Sequence, residues 1–206
     1  MIRVITIARE YGSGGGATAR RVAALLGWRL VDREIIAAAA RVAHLAPEDV
    51  AALDEHPTPW LTRMIKAFWR GGPEGFAGAP NKVFDGEALA DLTRRLLLDL
   101  ADEGDCVVVG RGAQCALAGR EDAFHVFVHA PRAERFARIR PLYADDADAE
   151  EALDHVDRDR ARYVQRAYGR RRLDPDLYDL MVNTRLGVER CAAAILAAAG
   201  LEARPQ

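Results

Sequence analysis

Apolar side chains fall along this chain in short β-branched runs that alternate with stretches of helical spacing. Ile2 to Ile7 is a strand-length run ending in a glycine cluster, and behind it Ala19, Val22, Ala23 and Leu26 share one helical face. This reads as strand, glycine-rich loop, helix. A second strand is expected at Trp28 to Val31, followed by Asp32 and helices at Glu34 to Ala43, Pro47 to Leu53 and Trp60 to Trp69. Gly71 to Pro80 is rich in glycine and proline and reads as a mobile loop, so the whole stretch of residues 45–83 reads as a helical insert. Leu89, Leu92, Leu96 and Leu100 then recur at helical spacing, and Gly104-Asp105 ends that helix before Cys106 to Val109.

Cys106 to Val109 and Phe124 to Val128 are apolar at nearly every position. That pattern suits parallel strands covered by helices on both faces, whereas a half-exposed antiparallel sheet would alternate. A helix at Pro131 to Arg140, an acidic connection, an arginine-laden helix at Glu150 to Tyr168, a strand at Leu180 to Asn183 and a helix at Gly187 to Ala199 complete the pattern. The expected fold is α/β, with three layers around a central parallel sheet, one domain over residues 1–206, and an arginine-rich lid over residues 138–172.

Composition narrows the function classes. The 206 residues are 50% hydrophobic, and 31 acidic side chains nearly balance 29 basic ones, which argues against a nucleic-acid-binding surface. No uncharged apolar run approaches the roughly 20 residues that span a bilayer, so no membrane association is expected. The first ten residues lack the apolar core of a secretion signal, which points to the cytoplasm. Cys106, Cys115 and Cys191 have no C-x-x-C spacing and read as reduced thiols. The five histidines show no partner spacing and read as structural. Trp60, Phe68 and Trp69 read as packing residues, since aromatics at helical spacing usually pack.

The glycine cluster carries the first chemical signal. Gly12, Ser13, Gly14, Gly15, Gly16, Ala17 and Thr18 lie between a predicted strand and a predicted helix, where backbone N–H groups and a helix N-terminus can surround a phosphate. Set against G-x-x-x-x-G-K-[ST] with Gly15 as the second glycine, Glu10 falls on the first glycine, Gly16 on the lysine and Ala17 on the hydroxyl residue. A ligand-free glycine turn is the plain alternative. The second signal is Arg111, presented between Gly110 and Gly112 at the carboxyl end of an apolar strand, the edge at which α/β sheets bind ligands. Its planar fork matches a phosphate, although a lone strand-end arginine is often only a surface ion-pair partner. The third is the arginine series from Arg132 to Arg172. In it Arg158, Arg162 and Arg166 fall four apart, a face suited to covering transferring phosphates, while Asp154, Asp157 and Asp159 make ion pairing an equal reading. Asp32 suits a hydrogen bond to a sugar, a base or metal-bound water.

Together these residues resemble the cytidylate kinase-like family, a branch of the P-loop nucleoside monophosphate kinases. The stretch from Ile5 to Gly16, ITIAREYGSGGG, looks like the family's opening signature, and Leu25 to Ile36 looks like the segment after it. Val109 to Gly112 is similar to the G-R-D stretch of bacterial cytidylate kinases, with Gly112 in place of the aspartate. Asp159 to Arg162 resembles their D-R-x-R element, and Tyr178 to Thr184 their last core strand. The resemblance implies a P-loop kinase core with an acceptor lobe and a lid. It further implies transfer of a phosphoryl group from ATP with Mg²⁺ to a small nucleotide, foremost CMP or dCMP. In it, residues 12 to 18 hold the ATP phosphates, Asp32, Arg111, Asp159 and Arg162 hold the acceptor, and Arg111, Arg158 and Arg162 act in catalysis. No metal ligand and no oligomeric state is assigned. The missing loop lysine leaves Arg20 or a lid arginine as its replacement. It also keeps open a silent nucleotide-binding module, just as the unlike stretch of residues 57–82 keeps open a kinase for another metabolite.

Overall fold

The computed structural model describes residues 1–32 and 86–204. The expected elements at 34–43, 47–53 and 60–69, the loop at 71–80 and the insert at 45–83 lie outside them. Five strands, β1 (Val4–Arg9), β2 (Arg29–Val31), β3 (Cys106–Val109), β4 (Ala123–His129) and β5 (Leu180–Asn183), form one parallel sheet in the order β2-β3-β1-β4-β5. The helices are α1 (Gly15–Leu26), α2 (Gly86–Glu103), α3 (Ala113–Ala116), α4 (Arg132–Ile139), α5 (Asp146–Tyr168) and α6 (Val188–Ala198).

Strand periodicity divides the core into two layers. Along β3, Cys106 and Val108 face a cluster with Leu96, Leu97 and Leu100 of α2 and Ala113 of α3. Val107 and Val109 face Ala19, Val22 and Leu26 of α1 and Ile195 of α6. Both faces are covered, as the apolar strands require. A third, smaller cluster joins Ile139 of α4 to Ala149 and Leu153 of α5, with Tyr11 and Tyr143 against it.

Helix α5 begins four residues earlier than its spacing predicts. The acidic stretch is its first turn: Asp145 caps it by accepting from the Asp148 N–H at 2.8 Å, and Asp146 and Asp148 lie at the positive end of the helix dipole. The short α3 was not expected; four residues carry too little periodicity to be read from sequence.

The chain leaves β1 toward β2 on one side of the sheet and leaves β3 toward β4 on the other. Adjacent strands whose exits diverge leave a crevice at their carboxyl ends, and the glycine-rich loop and Arg111 follow β1 and β3 at that edge.

Candidate active site

The loop after β1 is held from within. Gly12 has φ +73°, and a Cβ there would lie 2.7 Å from the Arg135 carbonyl oxygen, so a larger residue meets both strain and backbone. Ser13 Oγ donates to the Glu10 carbonyl at 2.8 Å and Thr18 Oγ1 to the Gly14 carbonyl at 3.2 Å. Thr184 Oγ1 donates to the Ser13 carbonyl at 2.6 Å. The Ser13 and Thr18 hydroxyls, candidates for phosphate contact, are therefore buried and engaged in shaping the loop. What the loop presents outward is the first turn of α1, whose N–H groups at Gly14, Gly15, Gly16 and Ala17 have no intrahelical acceptor.

Arg138 of α4 lies against this turn, its Nη1 donating to the Gly12 carbonyl and to Thr184 Oγ1, each at 3.2 Å. Tyr11 is anchored on the other side. Its phenol hydroxyl lies 3.0 Å from that of Tyr143, and burial followed by this bond pushes its pKa up to about 12.

Beside the loop, a cavity of about 390 Å³ opens at the carboxyl ends of β1 and β3 under α5. Arg9, Arg111, Gln114, Asp159, Arg160 and Arg172 bring the polar groups to its wall. Arg111 has φ +57° between two glycines of positive φ, an uncommon conformation for a side chain with a Cβ. The Tyr168 hydroxyl donates to its carbonyl at 3.3 Å, while its Nε is buried without a hydrogen-bond partner among the described residues. Gly112 is bare because the Tyr168 ring fills the space that its Cβ would take; an aspartate does not fit there.

The arginines of the cavity are tied to backbone. Arg160 Nη1 and Arg172 Nη1 donate to the same Arg9 carbonyl, at 2.8 and 3.0 Å. Arg172, only 7% exposed in its side chain, also lies over the Phe127 ring, 5.4 Å from its centroid. The anchor for both helices is Asp157. Its carboxylate accepts from the Tyr11 N–H at 2.9 Å, from Arg135 at 2.6 Å and from Arg172 at 3.2 Å, and it lies 3.7 Å from Arg160. One acid thus joins the loop, α4, α5 and the cavity.

Not every expected residue reaches this place. Asp159 lines the cavity and also pairs with Arg162 at 3.3 Å, but Arg158 and Arg162 lie on the exposed side of α5 and do not line it. Asp32 follows β2 at the same sheet edge without lining the cavity. Arg9, Arg160, Arg172 and Asp157 are the residues that motif spacing overlooked. Helix period contains the signal: Ala149, Leu153, Val156 and Val164 mark the inward face of α5, and Arg160 falls on that face while Arg158 and Arg162 fall opposite.

A sequence profile of the cytidylate kinase-like family matches residues 4–186. The chain belongs to that family. No curated protein matches it. Among solved structures, an uncharacterized protein from Eubacterium ventriosum is similar over 97% of this chain and 99% of its own, with 17% identity and a TM-score of 0.69. A shikimate kinase from Bacteroides thetaiotaomicron is similar over 98% and 100%, with 15% identity and a TM-score of 0.54. The fold of this family member is the P-loop kinase fold.

Proposed function

We propose that the chain transfers the γ-phosphoryl group of ATP to a small phosphorylated acceptor, a nucleoside monophosphate, with CMP and dCMP foremost. The observation that carries this reading is the cavity: Arg9, Arg111, Arg160 and Arg172 line it, and Arg9 packs against Gly15 in the first turn of α1. Two adjoining anion sites of this kind suit two phosphates held end to end.

The N–H groups of Gly14 to Ala17 take the β- and γ-phosphates, and Arg111, through its free Nε, takes the acceptor phosphate. An acceptor phosphate oxygen bonds to the γ-phosphorus as the bond to the β–γ bridging oxygen breaks, and the bridging oxygen leaves with the electron pair in ADP. The protein supplies position and charge rather than covalent chemistry. Magnesium enters with ATP, as part of the substrate.

The test is ADP formation from ATP and Mg²⁺ against CMP, dCMP, UMP, AMP and GMP, with a control lacking acceptor. Turnover is expected with CMP or dCMP. Turnover with none of the five, alongside measurable ATP binding, overturns the acceptor assignment in favour of another metabolite or a silent nucleotide-binding module.

A further inference from the structure

The cation that lysine-type loops carry at their second helical residue is missing at Gly16, yet the space above Gly16 is not empty. Side chains on a helix lean toward its N-terminus, and a residue four positions on lies directly behind. Arg20 is that residue. A Cβ built on Gly16 would lie 3.8 Å from Arg20 Nη1, and no other side-chain atom among the described residues comes within 4 Å of that point. One end of the guanidinium therefore lies in van der Waals reach of the point at which a lysine side chain would begin.

Arg111 faces the acceptor cavity, and several other cations near the loop are engaged. Arg138 is bonded to the Gly12 carbonyl, to Thr184 and to Glu134, Arg135 to Asp157, and Arg160 and Arg172 to the Arg9 carbonyl. Arg21, next in sequence, is paired with Glu189 at 2.7 Å on the far side of the helix. Arg20 is exposed and has no carboxylate or carbonyl partner among the described residues.

We infer that Arg20 is the catalytic replacement for the loop lysine. Resting on the phosphoryl-transfer reading above, its guanidinium bonds the β- and γ-phosphate oxygens at the N-terminus of α1 and neutralises the charge that collects on the bridging oxygen as it leaves. Glycine at position 16 is then part of the arrangement, because a longer side chain there competes with the guanidinium for the same space. A guanidinium also meets two phosphate oxygens in a fixed planar fork, where an ammonium acts as a point charge.

The test measures Mg·ATP affinity by calorimetry and kcat with the best acceptor for wild type, Arg20→Ala, Arg20→Lys, Arg21→Ala and the double variant Gly16→Lys/Arg20→Ala. Arg20→Ala is expected to weaken ATP binding by about tenfold or more and to lower kcat by roughly a hundredfold or more. Arg20→Lys loses less, Arg21→Ala stays at wild type, and the double variant regains much of the loss. Wild-type affinity and turnover in Arg20→Ala overturn the inference while leaving the kinase reading intact; a wild-type protein that binds no ATP overturns both. Should Arg20→Ala not fold, Arg20→Gln carries the same comparison. ATP affinity is read without an acceptor, so the role of Arg20 is decided even where turnover is absent.

Discussion

Arg111 shows how much one residue can hold. Its positive φ turns the chain sharply after β3, its carbonyl takes the Tyr168 hydroxyl, and its buried Nε has no hydrogen-bond partner among the described residues. Arg111→Ala is expected to raise the acceptor KM by roughly tenfold to a hundredfold, as for a lost charge-assisted bond, with ATP affinity unchanged. Steady-state kinetics against a direct ATP titration checks the split, and equal loss of both would place Arg111 at the donor site. Gly112→Asp, which restores the bacterial cytidylate kinase pattern, displaces the Tyr168 ring and forces a positive φ, so it costs on the order of 1–3 kcal/mol in denaturant titration. At this scale the glycine loop and Arg111 were legible, because glycine tolerance and strand-end position are written in local sequence. Arg9, Arg160 and Arg172 were not, since what joins them is the Arg9 carbonyl at the end of β1, reached by Arg160 from α5 and by Arg172 from the segment after it.

Among the elements, α5 is the one that ties the two halves of the site together, and it does so through Asp157. That carboxylate is 18% exposed in its side chain and meets the Tyr11 N–H and the guanidinium groups of Arg135 and Arg172, so its removal takes the acid from the buried Arg172 and leaves Arg135 only Glu10, at 3.5 Å. Asp157→Ala is expected to cost about 3 kcal/mol, as for the loss of one partner in a buried ion pair. Asp154→Ala, which breaks the exposed pair with Arg132, is expected to leave stability nearly unchanged, and unfolding midpoints of the two variants test the contrast. The helix itself was legible from its arginine-rich periodicity. Its facing was not, because interleaved Asp and Arg residues give similar polarity on both sides, and only the sparse apolar stripe from Ala149 to Val164 sets the rotation. The acidic residues read as a connection proved to be a capped first turn for the same reason.

For the whole molecule, the parallel sheet was visible in the unbroken apolar strands, but the strand order was not. Each strand is apolar on both faces, so pairing is fixed by how far the connecting helices reach rather than by side-chain pattern. One polar contact crosses the sheet: Thr6 Oγ1 of β1 lies 2.8 Å from His125 Nδ1 of β4. Burial holds the His125 imidazole below its ordinary pKa of 6.5, with Asp179 opposing the shift. The unfolded chain then binds the proton more readily, so stability is expected to fall as pH drops below 6.5, and His125→Gln is expected to flatten that slope in thermal unfolding. The central position of β1 has a further consequence during synthesis. Val4 pairs with Cys106 and Ala123, so β1 has neither of these two partners until the ribosome has delivered about a hundred further residues. At about 5–20 residues per second, the roughly one hundred residues between Val4 and Cys106 take on the order of 5–20 s. Throughout that interval the apolar leading segment VITIAR is an unpaired β-edge on a nascent chain, and chaperones that capture such segments should hold it until β3 emerges.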